Sequence, residues 1–351
     1  MMLTPAQVTV VILNYKGVED TLCCLNALQR LEQQPGRIIV VDNNSGKKDV
    51  ARLTDAWSTA NILCHKPAPV ILCQGDCLPN AQQILLTLDS NNGFASGNNA
   101  GIRLALSDTS CKALWLLNND TEPEKYSLHY LCQRLNKIQG ASIAGATVAY
   151  HHNRSLVQCA AGGFLNRWIG TSKLAYAQLP LEEVLKLEPT ALEASLDDIL
   201  GASMLIKRDV FDRIGFFSEE FFLYTEETEF CLRAGQAGIL FAWGQKSIIY
   251  HKEGASTGAQ TAIAGRTFLR PVWVDYLALR NRVYMMRKHY PWALPLVLLS
   301  YLGVMLNRVR RGQADRIPLV CRAAWDGLRG RMGKPDHLFP ALRDSHENPS
   351  H

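Results

Sequence analysis

The segment 8–42, VTVVILNYKGVEDTLCCLNALQRLEQQPGRIIVVD, determines the fold class that we predict. Residues 8–13 and 37–41 are short apolar runs rich in β-branched residues, which indicates two buried strands. Residues 19–31 between them carry leucines at helical spacing, and a Pro-Gly pair then ends the helix. Two strands and a helix joined by short loops predict a βαβ unit with parallel strands and a right-handed crossover.

The alternation of strand and helix continues along the chain. Patterns typical of helices cover residues 47–60, 100–106, 207–214 and 226–235, and patterns typical of strands cover residues 84–88, 113–117, 142–149, 239–243 and 247–250. Residues 65–79, rich in Cys and Pro, fit neither period and are predicted to be a loop. We therefore predict an α/β fold with a mostly parallel open sheet flanked by helices.

The composition excludes several classes of protein. With 351 residues, 47% of them hydrophobic and 20% charged, the chain is predicted to be globular rather than disordered, collagen-like or a simple coiled coil. Its ten cysteines form no zinc-type spacing, so they are not predicted to bind metal or to form a disulfide scaffold. The start, MMLTPAQV, lacks a basic segment of signal-peptide type, which favours the cytoplasm.

Polar clusters follow the carboxyl ends of predicted strands, where open α/β sheets bind their ligands. Asp42 closes the second strand, and its carboxylate could accept from the N–H groups of a nucleobase or could form an Asx turn. Asn118, Asn119 and Asp120 follow the strand at 113–117. An aspartate there could hold a hard divalent cation that grips a diphosphate, or the cluster could cap the next helix.

A Gly- and Asn-rich segment, NNGFASGNNAG at 91–101, precedes a predicted helix. Its exposed N–H groups and the helix N-terminus would suit a phosphate or a sugar, although a tight turn with a cap would have the same composition. The segment is neither a P-loop nor a dinucleotide-binding fingerprint, because no Gly-Lys-Ser/Thr follows and the glycine spacing differs.

Three carboxylates, those of Glu226, Glu227 and Glu229, stand at a predicted helix start. One of them could deprotonate an acceptor hydroxyl, and crowding would raise its pKa toward that task. The alternative is an acidic first turn that complements the helix dipole. His251 follows a strand, where it could be a ligand or an anion donor beside a diphosphate, or could be structural.

The order of these motifs resembles that of family 2 glycosyltransferases, most of all the bacterial rhamnosyltransferase-like branch that builds cell-surface polysaccharides. The resemblance extends over residues 7–290 and depends on these motifs: NNGFASGNNAG, LLNND, GASMLIKRDVF, YTEETEFCLRAGQAG, YHKEGAST and LRNRVYMMRKH. It implies a GT-A fold, a nucleotide-diphosphate sugar donor, a divalent cation (Mg²⁺ or Mn²⁺) and inversion at the anomeric carbon. Rhamnose is one candidate for the sugar. The implied acceptor is a glycan or a polyprenyl-diphosphate-linked saccharide, and no nucleic-acid partner is expected.

The resemblance also implies roles for individual residues. Asp120 would bind the metal, and Glu227 would be the catalytic base. The donor-binding residues would be Asn14, Asp42, Asn98, Asn99, Asn119 and His251. Secondary or acceptor-side residues would be Glu226, Glu229 and Arg233.

Two departures from the family pattern affect these assignments. Only one carboxylate is present at 118–120, which gives a cation weaker charge support. The base position holds Glu in place of the usual Asp, so the choice among Glu226, Glu227 and Glu229 stays open.

Two other functions remain under consideration. A non-catalytic nucleotide-sugar or carbohydrate-binding protein could share this fold. A nucleotidyltransferase would be expected to carry a glycine-rich phosphate loop after the first strand, and the loop at 14–17, NYKG, is too short for one.

The C-terminal region differs in charge from the rest of the chain. Residues 264–334 contain 14 Lys and Arg against 3 Asp and Glu. We predict a basic amphipathic helix at 273–289 and an apolar helix at 292–306, interrupted by Pro295, that lies on the cytoplasmic face of an anionic membrane. The alternative is an ordinary buried helix that packs on the rest of the protein or on a second subunit.

The predicted domain division follows from this change in charge. A GT-A domain would occupy residues 1–262, with a donor half at 1–125 and an acceptor half at 126–262. The helical basic region would occupy residues 263–351.

Overall fold

A computed structural model of the chain describes residues 2–60, 70–73, 81–252 and 271–342. The first part contains β1 (Val8–Asn14), α1 (Val18–Gln29), β2 (Arg37–Asp42), α2 (Lys47–Ala60), β3 (Val70–Cys73), β4 (Gln83–Thr87), α3 (Phe94–Leu106), β5 (Ala113–Asn118), β6 (Thr121–Pro123) and α4 (Ser127–Lys137). The middle part contains β7 (Ala141–Tyr150), β8 (Val157–Ala160), β9 (Gly162–Asn166), β10 (Thr171–Leu174), α5 (Leu181–Val184), α6 (Pro189–Glu193), β11 (Asp198–Ile199), β12 (Ser203–Lys207), α7 (Arg208–Ile214), α8 (Glu226–Gln236) and β13 (Leu240–His251). The last part contains α9 (Val272–His289), α10 (Leu294–Arg310) and α11 (Ile317–Arg329).

Within the described residues, ten strands form one sheet. The order is β3-β4-β2-β1-β5-β12-β7-β13-β6, and β8 pairs with β7. The strands of the N-terminal half, β1 to β5, pair in parallel, and β12 joins β5 in antiparallel fashion. The predicted α/β architecture with a mostly parallel open sheet is confirmed.

The central strands are apolar on both faces because helices cover both faces. Val10 and Ile12 of β1 pack in the core that α1 and α4 share, whereas Val11 packs in the core beneath α3. All three side chains are fully buried. This explains why the strands read as continuous apolar runs rather than as alternating patterns.

Helix α3 begins six residues earlier than predicted, because the glycines that suggested a loop serve helix packing. Gly93 adopts a φ of 99°, and the next residue, Phe94, donates its N–H to Phe222 O at 2.7 Å. Gly97 and Gly101 face the sheet, where an added Cβ would lie 2.4 Å from a Leu13 methyl and 2.5 Å from a Val11 methyl. The absence of side chains at these two positions therefore lets α3 approach β1 closely.

Two other predicted boundaries differ from the structure. Residues 65–79 were predicted to be a loop, but β3 lies within them and pairs with β4 at the edge of the sheet. The rest of that segment, 65–69 and 74–79, falls outside the described residues. The two predicted strands at 239–243 and 247–250 are one strand, β13, with a bulge between Gly244 and Ile248.

Helix α9 is buried, so the prediction of a basic amphipathic helix is wrong here. Its Val283 and Met286 pack in one core with Phe221 and Leu232, which come earlier in the sequence. Arg280 is 1% exposed and donates to Gly333 O at 2.9 Å. This arginine is therefore a buried hydrogen-bond donor and does not face an anionic surface.

Helix α10 is continuous, and Pro295 lies in its first turn rather than interrupting it. Proline is tolerated there because the first N–H groups of a helix have no intrahelical partner. The residues that link the sheet to α9, at 253–270, are outside the described range, and the domain boundary at 262 stays a prediction.

Candidate active site

Asn14, at the end of β1, connects three strand ends through its side-chain amide. Its Nδ2 donates to Asp42 Oδ1 at 2.8 Å, and its Oδ1 accepts from the Thr21 hydroxyl at 2.9 Å. Asn119 Nδ2 donates to the same hydroxyl at 3.1 Å. Three of the predicted donor-binding residues, Asn14, Asp42 and Asn119, are therefore joined in one buried network through Thr21 of α1.

Asp42 forms the Asx-type turn that the sequence left open as an alternative. Its Oδ2 accepts from the Ser45 N–H at 3.0 Å while its Oδ1 accepts from Asn14. A carboxylate oxygen has two lone pairs, so both oxygens retain accepting capacity. Contact of Asp42 with a nucleobase stays a prediction.

Asp120 and His251 face each other at the same end of the sheet. Asp120 Oδ1 lies 3.2 Å from His251 Nε2, and both side chains are more than nine-tenths buried. The other ring nitrogen of His251, Nδ1, lies 2.8 Å from Gln158 Oε1. With that oxygen as the acceptor, the proton of a neutral imidazole is on Nδ1, and the Nε2 lone pair points toward the carboxylate.

This pair suits a divalent cation. A carboxylate oxygen and an imidazole nitrogen are both good ligands for Mn²⁺, and Mg²⁺ is commonly bound by one or two carboxylates together with substrate phosphates and water. In the part of the chain that the structure describes, no group of three or more His, Cys, Asp or Glu side chains could hold a metal ion. Asp120 and His251 would thus supply two ligands, and a diphosphate and water the others.

The three glutamates at the start of α8 occupy different environments. Glu226 is 1% exposed, and burial, with the Glu227 charge as a second cause, raises its pKa well above the usual range. Glu227 is half-buried, and burial together with the Asp198 charge raises its pKa to about 7. Its Oε2 has no hydrogen-bond partner among the described residues. Glu227 is therefore the acid that combines partial exposure with a pKa near neutrality.

Glu229 belongs to an ion cluster between α8 and α9. Burial alone would raise its pKa, but the hydrogen bond from His289 and the charges of Arg233 and Lys288 lower the pKa to about 2. Arg233 also donates to Phe216 O at 2.7 Å. Both Glu229 and Arg233 thus have structural partners, and an acceptor-side role for them stays a prediction.

The turn that leads into α8 is strained and is held by α9. Tyr224 and Thr225 have φ values of 70° and 81°, a region that costs non-glycine residues about 1–3 kcal/mol each. Asn281 Nδ2 donates to Leu223 O at 2.9 Å and to Tyr224 O at 2.8 Å. Asn281 is fully buried, so it fixes the conformation from which Glu227 projects.

Glu227 lies beside the loop that enters β12. An added Cβ on Gly201 would be 3.2 Å from Glu227 Oε1, and the neighbouring Ala202 O accepts from Asn118 N at 3.1 Å. The loop at 201–202 therefore contacts Glu227 on one side and Asn118, two residues before Asp120, on the other.

The strand order brings Asp42 to the same edge of the sheet. In the register, Asn14 is opposite Asp42, and Leu13 is opposite Asn118. At ~4.8 Å between neighbouring strands, the ends of β2 and β5 are about 10 Å apart. The structure thus places Asp42, Asp120 and Glu227 along one edge.

The placement of Asn98 and Asn99 differs from expectation. Both lie within α3 rather than in a loop. Asn98 Nδ2 donates to Phe94 O at 3.0 Å, and the Asn99 amide is bonded to both backbone groups of Phe217. Asn99 therefore anchors the segment before α8, and contact of either asparagine with a donor stays a prediction.

Four contributors were missed from the sequence: Thr21, Gln158, Asp198 and Asn281. Thr21 lies seven residues after Asn14, in the first turn of α1, a signal that could have been used. Gln158 and Asp198 have no local pattern that sets them apart. Asn281 belongs to the LRNRV motif, but its role depends on a contact with residues more than fifty positions earlier.

Comparisons with known proteins identify the class of enzyme and the fold. No protein-family model matches the chain. The chain is 24% identical, over 337 residues and 94% of each protein, to the low-salt glycan biosynthesis hexosyltransferase Agl10 of Haloferax volcanii. It is 28% identical over 137 residues, 38% of this chain and 43% of the relative, to the N-acetylglucosaminyl-diphospho-decaprenol L-rhamnosyltransferase of Mycobacterium tuberculosis.

Among solved structures, the fold is similar to that of GalNAc-T7, crystallised with UDP, GalNAc and Mn²⁺. The TM-score is 0.54 at 15% identity, over 80% of this chain and 47% of the other. Together with the sequence relatives, this confirms the predicted GT-A fold and the predicted resemblance to family 2 enzymes of the rhamnosyltransferase-like branch. The chain is a glycosyltransferase.

Proposed function

We propose that this chain transfers a sugar from a nucleotide-diphosphate donor to a hydroxyl group of a glycan or of a lipid-linked saccharide, with inversion at the anomeric carbon. The observation that carries the proposal is the carboxylate of the half-buried residue Glu227. Its pKa is raised to about 7, and it lies on the edge of the sheet that also holds the Asp120–His251 pair. A base and a site for a diphosphate at one edge are what a displacement of this kind requires.

The donor would lie along the strand ends of β2, β1 and β5. The network of Asn14, Asp42 and Asn119 holds the loops at those ends in place. The turn after Asp42 would present the Ser45 segment to the nucleotide. The diphosphate would be positioned by Asp120 and His251. A divalent cation, when bound by these two residues, would neutralise charge on the diphosphate.

The protein's own contribution to the reaction is a proton transfer. The acceptor oxygen forms a bond to the anomeric carbon while the bond from that carbon to the diphosphate oxygen breaks. Glu227 takes the acceptor proton on its carboxylate, and the nucleotide diphosphate leaves with the bonding electron pair. Asn281 keeps Glu227 in position through the turn at 224–225. Burial raises the pKa of the neighbouring Glu226, which favours the uncharged form of that side chain.

The acceptor is proposed to be carried by a polyprenyl diphosphate. Support comes from the mycobacterial relative, whose name specifies a diphospho-decaprenol-linked acceptor. Such an acceptor lies in a membrane, so the enzyme would act as a peripheral protein on the cytoplasmic face. Rhamnose is the sugar that the same name suggests, and the haloarchaeal relative is named only as a hexosyltransferase.

A donor screen tests the proposal. Purified full-length chain would be mixed with UDP-, GDP- and dTDP-sugars, Mn²⁺ or Mg²⁺, and a membrane lipid extract as acceptor. We expect one donor to be consumed and the new linkage to have inverted configuration by NMR. Glu227→Gln should reduce transfer by about 10²–10⁴-fold, whereas the matched change at an exposed site, Glu182→Gln, should not.

Three results would contradict the proposal. Retained configuration would exclude the single displacement. Unchanged activity of Glu227→Gln would exclude this base. Donor binding without any turnover would favour the non-catalytic binding protein.

A further inference from the structure

Helix α10 exposes a continuous apolar stripe. It consists of Trp292, in the turn just before α10, and of the α10 residues Leu296, Leu299, Leu302, Leu306 and Val309, each between 41% and 60% exposed. Their spacing of three or four residues places them on one side of the helix. Trp168, from the turn between β9 and β10, extends the stripe by packing edge-on against Trp292 with ring centroids 4.8 Å apart. Soluble monomers rarely expose such a patch unless it meets a partner or a membrane.

The other side of α10 is fixed to the protein. Val297 and Tyr301 are buried, and the Tyr301 hydroxyl donates to Leu279 O of α9 at 2.6 Å. The helical segment Pro291–Arg310 is long and apolar enough to cross a membrane, with a mean hydropathy of 1.4, and only 17% of its apolar window is buried. Because one side packs on α9 and α11, the helix is suited to lie along a membrane surface rather than across it.

A basic cavity of about 310 Å³ opens beside the stripe. Its polar walls come from Thr171, Arg282, Ser300, Asn307, Arg308 and Arg311. Ser300, Gly303, Asn307 and Arg308 belong to α10, and their spacing places them on the side of the helix next to the stripe. The cavity and the apolar stripe therefore form one surface.

The charges in this cavity favour an anion. Arg308 forms an ion pair with Asp275 at 2.9 Å, whereas Arg311 is exposed. Arg282 donates to Ser300 Oγ, but its Nε is buried and has no hydrogen-bond partner within the described ranges. A phosphate in the cavity would accept hydrogen bonds from the guanidinium groups that line it, and guanidinium–phosphate hydrogen bonds are among the strong ones.

We propose that this cavity binds the phosphate group of an anionic membrane lipid while the apolar stripe enters the bilayer interface. The two tryptophans suit this location, since their amphipathic rings favour the headgroup region. A second copy of the chain is a poorer occupant, because a symmetric dimer would place the same arginine-rich surface against itself. The inference rests on the proposed function only in that a lipid-linked acceptor would reach the enzyme at this surface.

Vesicle flotation of the full-length chain tests the inference. We expect binding to vesicles of phosphatidylcholine mixed with phosphatidylglycerol to exceed binding to phosphatidylcholine alone by about tenfold or more. Gly303→Asp places a carboxylate in the cavity and should remove that preference. Gly303→Ala is the matched control, because a Cβ at Gly303 meets nothing within 4 Å. Leu299→Asp with Leu302→Asp should abolish binding to both vesicles, and Leu240→Asp on distant β13 should not.

Several outcomes would overturn the inference. One is equal binding to both kinds of vesicle, and another is an unchanged preference in Gly303→Asp. A third is a dimer by light scattering that binds no vesicles, and a fourth is binding of inorganic phosphate without binding of vesicles. Donor hydrolysis in detergent is measured in parallel. If the unmodified chain hydrolyses the donor but does not float with either kind of vesicle, the membrane surface is wrong and the proposed reaction is unaffected.

Discussion

His251 Nε2 lies 3.2 Å from Asp120 Oδ1 because β13 runs antiparallel to β6, which puts His251 opposite Thr121. The sheet itself thus brings together two residues that are more than one hundred positions apart in the chain. Gln158, on β8, which pairs with β7, contacts the other ring nitrogen of the imidazole and so orients it.

The first prediction concerns Gln158. Gln158→Ala should raise the Mn²⁺ concentration needed for half-maximal transfer by about 10–100-fold, because the imidazole loses the partner that fixes its orientation. Isothermal titration of Mn²⁺ into protein with a bound nucleoside diphosphate would check the affinity directly. Gln178→Ala, at an exposed site, is the control. The same Mn²⁺ dependence in both variants would remove His251 from the cation site.

The second prediction concerns the pH dependence of transfer. With the pKa of Glu227 raised to about 7, the carboxylate is protonated below that pH and cannot accept the acceptor proton. The rate at saturating substrate should therefore fall about tenfold per pH unit on the acid side. A profile without an acid limb near neutrality would show that another group is the base.

The third prediction concerns stability. The pKa of Glu227 is raised from 4.5, the ordinary value of a glutamate side chain, to about 7 in the folded protein. The unfolded state therefore releases this proton first, and stability is lost as pH rises from about 4.5 to 7. Glu227→Gln should thus raise the melting temperature at about pH 8 and change it little at about pH 4. A loss of stability at both pH values would contradict the assignment.

The fourth prediction concerns Asn281 as a positioning residue. Asn281→Ala removes two hydrogen bonds to partly buried carbonyls, at Leu223 and Tyr224, and should cost about 1–3 kcal/mol of unfolding free energy by urea titration. It should also lower kcat and shift the acid limb of the pH profile, since the turn that sets the Glu227 environment relaxes. A purely structural role would lower stability and leave that limb in place.

The fifth prediction uses two helical glycines. Gly97→Ala should destabilise the protein by about 1–3 kcal/mol, because the added Cβ would lie 2.4 Å from a Leu13 methyl. Gly235→Ala in α8 meets nothing within 4 Å and should stabilise by up to about 1 kcal/mol. Equal effects at both sites would mean that helix propensity rather than packing determines the glycine at 97.

The sequence was sufficient to predict those features of the fold and the site that depend on a local pattern of residues. The apolar strands, the Asp42 turn and the acidic start of α8 could all be recognised from neighbouring residues. It was insufficient where one composition serves two purposes, as in the α3 glycines, whose packing against Leu13 depends on the assembled sheet. It was also insufficient for Glu226, Glu227 and Glu229, whose pKa values depend first on burial in the folded protein. Residues from other elements then contribute, Asp198 to the pKa of Glu227 and His289 to that of Glu229.

The burial of α9 has a practical consequence for anyone who produces this protein. Val283 and Met286 share their core with Val297 and Val320 of the last two helices. A recombinant chain that ends before Pro291 would lack the last two helices. Val283 and Met286 would then be exposed to solvent, and the protein would be prone to aggregation or degradation. Samples for crystallisation are better obtained by polar replacement of Leu299 or Leu302, which touches no part of that core.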